Sequence, residues 1–133
     1  MRGGARAEWV CADGMIMPFR DNVFDYVVTF YGLLYIRGED EKRAVLKESL
    51  RVLKGGAKLV LVEPVVNRDV GDYLVKVKVL DQGKPVHTVS YGVSGGGIKQ
   101  TPAFINDFAK NVGAPLEQLE AERYFVAALT KLT

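Results

Sequence analysis

Two nearly continuous apolar runs flank one amphipathic helical stretch, and that succession constrains the fold more than any other feature of the chain. Residues 24–30 (Phe-Asp-Tyr-Val-Val-Thr-Phe) are rich in aromatic and β-branched side chains. Such a run suits a strand buried on both faces, as in a parallel sheet. Residues 39–53 then predict a helix. Glu39, Asp40 and Glu41 crowd its start and Arg51 and Lys54 its end, which matches the helix dipole. Ala44, Val45, Glu48, Ser49 and Val52 recur at helical spacing, while Leu46, Leu50 and Leu53 widen the apolar face. Gly55-Gly56 is expected to stop the helix, and residues 58–62 form a second apolar strand closed by Glu63-Pro64. Strand, helix and strand in this order make a βαβ unit.

The flanking segments have different textures. Residues 8–12 (Glu-Trp-Val-Cys-Ala) predict a short strand ending in an Asp13-Gly14 turn, with Cys11 as a buried, inert thiol. Residues 15–22, with Pro18 and Asp21-Asn22, predict a loop. Beyond Pro64, residues 73–80 and 85–91 alternate apolar with polar side chains around a turn at 81–84. That pattern predicts an inserted antiparallel hairpin over 72–92 with one wet face. Lys76, Lys78 and Lys84 then read as solvated and His87 as structural. Gly95-Gly96-Gly97 reads as a connector. Thr101-Pro102 supplies a helix cap and first residue, Phe104, Ile105, Phe108, Ala109 and Val112 one apolar face, and Gly113 the stop. Residues 116–132 predict two closing strands.

Composition sets the outer bounds. At 133 residues, the chain is one domain. A net charge of +2 gives no electrostatic case for a nucleic-acid partner. One cysteine and one histidine exclude an intrachain disulfide and the usual zinc clusters, so no metal is expected. No apolar stretch is long enough for a membrane span, and the Met-Arg-Gly-Gly start has no signal-peptide core. The expectation is a cytoplasmic protein with no membrane partner.

In open α/β sheets ligands bind beyond the carboxyl ends of the strands. Those ends here carry Asp13-Gly14, Phe30-Tyr31-Gly32 and Glu63-Pro64. An acidic side chain there accepts hydrogen bonds from an amine or ribose, and a glycine admits a flat ring to the backbone. The competing reading of Asp13-Gly14 is a plain turn pair, and that of Tyr31 and Tyr35 is packing.

Two segments resemble a known family. Residues 13–28, from Asp13-Gly14-Met15 through Pro18-Phe19 to Phe24-Asp25-Tyr26-Val27-Val28, resemble the acidic-small-x-x-x-Pro-Phe to Phe-Asp-x-Val segment of class I S-adenosylmethionine-dependent methyltransferases. Residues 50–59 (Leu-Arg-Val-Leu-Lys-Gly-Gly-Ala-Lys-Leu) resemble that family's Arg-Val-Leu-Lys-Pro-Gly-Gly turn, with Gly55 and Ala57 as departures. The subgroup resembled is the type 11, or ubiquinone/menaquinone-biosynthesis-like, one. The resemblance implies an α/β fold: a partial Rossmann-like methyltransferase sheet with a parallel core, antiparallel C-terminal strands and the inserted hairpin. It implies S-adenosylmethionine as cofactor, with Asp13 on the adenine amino group, the backbone of Gly14 and Met15 against the adenine ring, and Phe30 and Tyr31 beside the methionine end. The catalytic residue stays unassigned, as does the acceptor of the methyl group.

The same resemblance sets an expectation of a truncated methyltransferase-like domain spanning 1–133. The family's first strand and glycine-rich turn precede the position of Asp13, and each strand-helix unit takes ~30 residues; seven residues precede Glu8. The strand at 24–30 is then an open edge. A homodimer or a complementing partner chain is expected to cover it. The function expected is methyl transfer to a small molecule by a chain incompetent alone, the alternative being a non-catalytic dimeric interaction or binding module. A nicotinamide dehydrogenase is excluded for want of a Gly-x-Gly-x-x-Gly after a strand.

Overall fold

Leu59, Leu61 and Glu63 alternate along one strand, and that row marks the centre of the molecule. The structure is a computed structural model and describes residues 6–133. In chain order the elements are β1 (Phe24–Phe30), a 3₁₀ turn (Leu33–Tyr35), α1 (Glu39–Val52), β2 (Leu53–Pro64), β3 (Val66–Asp81), β4 (Lys84–Gln100), α2 (Pro102–Val112), β5 (Leu116–Glu120) and β6 (Tyr124–Thr130). The main sheet has the order β1-β2-β6-β5, and β3 and β4 form a separate two-stranded sheet. β1 and β2 are parallel, with Val27 beside Leu59 and Phe30 beside Val62. β6 runs antiparallel to β2, setting Leu129 opposite Leu59, and β5 runs antiparallel to β6. This is the α/β class that the sequence predicts, parallel core and antiparallel tail included.

Local chemistry accounts for the element ends. Three acidic residues occupy the first turn of α1 and Arg51 its last. The helix stops one residue earlier than the sequence indicates, because Leu53 is already extended. The Gly55-Gly56 pair then serves the next strand. Gly56 takes φ 81°, where the register between β1 and β2 slips. Thr101 caps α2 by accepting a hydrogen bond from the Phe104 amide at 3.4 Å, and Gly113 ends the helix at φ 72°.

Both helices lie on one face of the sheet. Leu46 of α1 and Ile105 and Phe108 of α2 bury against Leu59, Leu61, Phe125 and Leu129. Each such side chain contributes about 1.5–3 kcal/mol by leaving water. Among the described residues the second face has no such cover, and Tyr26, Val28 and Phe30 are 67%, 60% and 47% exposed. The expectation that residues 24–30 are buried on both faces is therefore corrected. β1 is an edge strand covered on one side, and an apolar run does not report what lies on its second face.

Two further expectations change. Residues 8–12 form no strand: they have no ladder partner among the described residues, Trp9 is 93% exposed, and the Cys11 thiol is exposed rather than buried. The hairpin is also longer than 72–92, because its ladder runs on from Asp72–Ser94 to Val70–Ile98 and Val66–Gln100. Gly95-Gly96-Gly97 are not a connector but a bulge within β4, with φ of 100°, 80° and 68°. Beyond that bulge the alternation holds. The pairs Val75–Tyr91 and Val77–Val89 are half-buried, while Lys76–Ser90 and Lys78–Thr88 face solvent together with Lys84 and His87. Among the described residues no helix is long and apolar enough to cross a membrane.

Because the core has one covered face, truncation should be costly there and cheap on the other. Leu61→Ala is expected to lower the unfolding free energy by about 2–5 kcal/mol, and Val28→Ala by no more than about 0.5 kcal/mol. Urea unfolding of the two variants checks this; equal losses would contradict the one-sided core.

Candidate functional site

β1 and β2 end side by side, and the chain leaving β1 turns sharply. Tyr31 adopts φ 52°, a left-handed conformation rare for a residue with a side chain. Its amide donates to the Val62 carbonyl at 2.8 Å, so the turn begins while the ladder still holds. The Tyr31 ring stacks on Phe30 with centroids 5.1 Å apart and planes 18° apart. Tyr91 of β4 meets both rings, at 5.2 Å from Tyr31 and 6.0 Å from Phe30. The hairpin thus leans over the carboxyl end of β1. Its base is tied down by Arg37, which donates to the Ser94 carbonyl and, at 3.3 Å, to that of Gly96. The Tyr35 hydroxyl accepts from the Gly92 amide at 3.1 Å. A Cβ at Gly95 would stand 2.8 Å from the Arg37 guanidinium, so the glycine bulge makes room for that cation.

Beneath the aromatic rings lies Glu63, the last inward position of β2 before Pro64 and wholly buried. Its Oε2 accepts from the Thr29 hydroxyl at 3.0 Å and the Gly32 amide at 3.2 Å. Its Oε1 accepts from the Leu34 amide and the Gln100 side-chain amide, each at 3.1 Å. Burial pushes this carboxyl above its ordinary range, and the four donors pull it back. Burial likewise raises the Tyr31 phenol and lowers the nearby Lys42 ammonium.

Asp13, Gly14 and Met15 form a separate group. The Asp13 carboxylate accepts from the Met15 amide at 2.8 Å, the geometry of a plain turn pair. A Cβ on Gly14 would lie 3.5 Å from Val45, so this turn rests on α1. The following loop is also fastened to that helix. Glu48 accepts from the Met17 amide at 2.8 Å, and Arg51 donates to Asp21 at 2.7 Å and to the Met17 carbonyl at 3.1 Å. The structure therefore brings Phe30 and Tyr31 together, while no hydrogen bond joins them to Asp13, Gly14 or Met15 among the described residues. Glu63 was visible in the sequence as an acidic strand end. Tyr91, Arg37, Lys42 and Gln100 carried no local signal, because their places depend on how the hairpin folds back.

At the strand ends the Phe30 ring is half-exposed and open to solvent. Two hollows lie on the side of the β4 end and α2, one of about 140 Å³ lined in part by Arg37, Lys42, Gln100 and Thr101, the other of about 580 Å³ lined in part by Asn67, Lys99, Thr101 and Asn106.

The sequence pattern of the ubiE/COQ5 methyltransferase family matches residues 1–69. The chain belongs to this family. A demethylmenaquinone methyltransferase of Corynebacterium urealyticum is 43% identical over 65 residues, covering 47% of this chain and 27% of that protein. The mitochondrial 2-methoxy-6-polyprenyl-1,4-benzoquinol methylase of Caenorhabditis elegans is 41% identical over 59 residues, covering 44% and 20%. The chain thus spans about a quarter of the length of these ubiE/COQ5 relatives. The fold extends the likeness past residue 69. The crystal structure of a S-adenosylmethionine-dependent methyltransferase from Methanosarcina mazei superposes with a TM-score of 0.67 at 21% identity, over 97% of this chain and 69% of that one. The hairpin and the closing strands lie within that superposition, so the whole described chain has the methyltransferase fold.

The loop that carries Asp13 yields a pH prediction. Arg51 foremost, then the Met17 amide, holds the Glu48 carboxyl below its ordinary range. A carboxyl depressed by folding stabilises the fold above its unfolded pKa, and that stability is lost as pH falls through the folded value. Wild-type protein should therefore lose more stability than Glu48→Gln as pH drops below about 4.3. Denaturant titrations at stepped acid pH read this; parallel pH profiles would show that the Glu48 contacts do not support the loop.

Proposed function

We propose that the chain provides the strand-end part of an S-adenosylmethionine-dependent methyl-transfer site whose acceptor is a quinol-type ring. The observation that carries this reading is the ubiE/COQ5 pattern over residues 1–69, a span that includes Asp13-Gly14-Met15 and the Phe30-Tyr31 turn. The names of the relatives in Corynebacterium urealyticum and Caenorhabditis elegans supply the acceptor class.

The donor set fits one end of such a cofactor. The Asp13 carboxylate uses one oxygen on the Met15 amide, and its exposed second oxygen remains to accept from an exocyclic amine. The half-exposed Phe30 ring offers a flat apolar face, held in place by Tyr31 and Tyr91. When bound, the cofactor supplies an electrophilic methyl on a sulfonium. The task of this chain is then to orient both reactants and exclude water, with the hairpin over the strand ends as the shield.

The open surface at the strand ends requires a second wall. A second copy of the chain, or a complementing partner, supplies it by covering the β1 edge and the exposed Tyr26, Val28 and Phe30. Methyl transfer is thus a property of the assembly rather than of one protomer. The same exposed edge favours the second reading, a dimeric interaction module with the methyltransferase fold and no catalysis.

Calorimetry with S-adenosylhomocysteine, alongside light scattering to fix the assembly state, separates the two. Methyl transfer predicts binding that follows the dimer or complemented form, with Asp13→Ala weakening affinity about tenfold or more. Absence of binding heat at every protein concentration and with every partner leaves the interaction module; a monomer that binds the ligand tightly refutes the need for a second wall.

A further inference from the structure

Glu63 occupies a position where the pattern of its strand calls for a leucine. Leu59, Leu61 and Glu63 share the inward face of β2, and all three are 0% exposed. Four donors converge on the carboxylate: the Thr29 hydroxyl, the amides of Gly32 and Leu34, and the Gln100 carboxamide. Four converging donors favour the ionised form and work against burial, which raises this carboxyl.

The balancing charge reaches it indirectly. Lys42 of α1 is 4% exposed, and its Nζ donates to Gln100 Oε1 at 3.0 Å and to the Lys99 carbonyl at 3.1 Å. Gln100 therefore presents oxygen to the cation and nitrogen to the anion, the orientation that satisfies both ends. Glu39 stands near Lys42 on the same helix, and the Tyr31 phenol is the other titratable group that feels Glu63. No buried side-chain polar atom among the described residues lacks a partner.

Stability is a poor account of this arrangement. Replacing a buried ion pair by apolar side chains is often neutral or stabilising. What the network supplies is geometry. Two of the four bonds to Glu63 fix the amides of Gly32 and Leu34, the residues that follow Tyr31 through its left-handed turn. A third, through Gln100, ties the end of β4 to the same carboxylate, so the hairpin that brings Tyr91 onto Tyr31 shares an anchor with the turn beneath it.

We propose that Glu63 is a positioning residue: balanced by Lys42 across the Gln100 carboxamide, its carboxylate holds the turn that sets the Tyr31 ring at the strand ends under the hairpin. The use made of that ring rests on the ligand-face reading above; the positioning is measurable without any ligand. The experiment is NMR of the full chain with labelled tyrosines, Tyr31 being assigned by Tyr31→Phe. In the wild type, the Tyr31 ring signal should be displaced by its stacked neighbours and should follow a single protonation step on mild acidification. Glu63→Gln puts an amide donor against donors, so it should abolish that step and move the signal toward that of exposed Tyr26. Lys42→Met, which touches neither Tyr31 nor its turn, should shift the midpoint of the step upward. The methyl signals of Leu59, Leu61 and Leu129 report whether the core is intact in each variant. Should Glu63→Gln not fold, the wild-type titration and Lys42→Met decide. A Tyr31 signal indifferent to pH, or unmoved in Glu63→Gln with an intact core, overturns the proposal. Failure to bind S-adenosylhomocysteine with the Tyr31 behaviour present overturns the ligand-face reading alone.

Discussion

A carboxylate in an otherwise leucine-lined row joins the two halves of this molecule. On one side of Glu63 lies the βαβ unit, whose strands and helix are specified by local pattern. On the other lie the hairpin and the closing strands, which return to the same place only through tertiary contacts. Thr29 belongs to the first half and Gln100 to the second, and both donate to Glu63. In a low-dielectric interior such a bond set is directional in a way that apolar packing is not. It fixes where β4 ends relative to where β1 ends, and hence which rings meet above them.

The legibility of the sequence follows the range of the forces involved. Elements set by near neighbours were readable: α1 from its acidic start and apolar period, α2 from Thr101, Pro102 and Gly113, the hairpin from its alternation. Elements defined by what covers them were not. Residues 24–30 have the composition of a doubly buried strand, yet only the face of Val27 and Thr29 meets the helices. Residues 8–12 have strand-like side chains and no strand to pair with among the described residues. Of the candidate site, the strand-end residues were legible from motif and position. Lys42 and Gln100 were not, because a lysine near a helix start and a glutamine before a helix cap are ordinary until the fold brings them within 3.0 Å.

The ubiE/COQ5 kinship and the fold cover different extents of the chain. The family pattern ends at residue 69, close to the start of β3, whereas the superposition with the Methanosarcina mazei structure covers 97% of the chain. Beyond residue 69 the likeness is one of architecture. Fold alone does not assign an acceptor. Beyond the family pattern the hairpin is placed by tertiary contacts, and its Tyr91 stands over the strand ends.

The two-stranded hairpin has a consequence for behaviour in concentrated solution. Each of its long strands keeps one margin of backbone amides and carbonyls unpaired by the other, a surface on which foreign chains can nucleate as additional strands. Lys76 and Lys78 interrupt the valines of β3, and Lys84 sits at the tip, all of them solvated. An incoming copy would have to bring like cations together while desolvating them. Charge of this kind on exposed strands disfavours edge-to-edge growth, while the half-buried Val75 and Val77 stay on the opposite face.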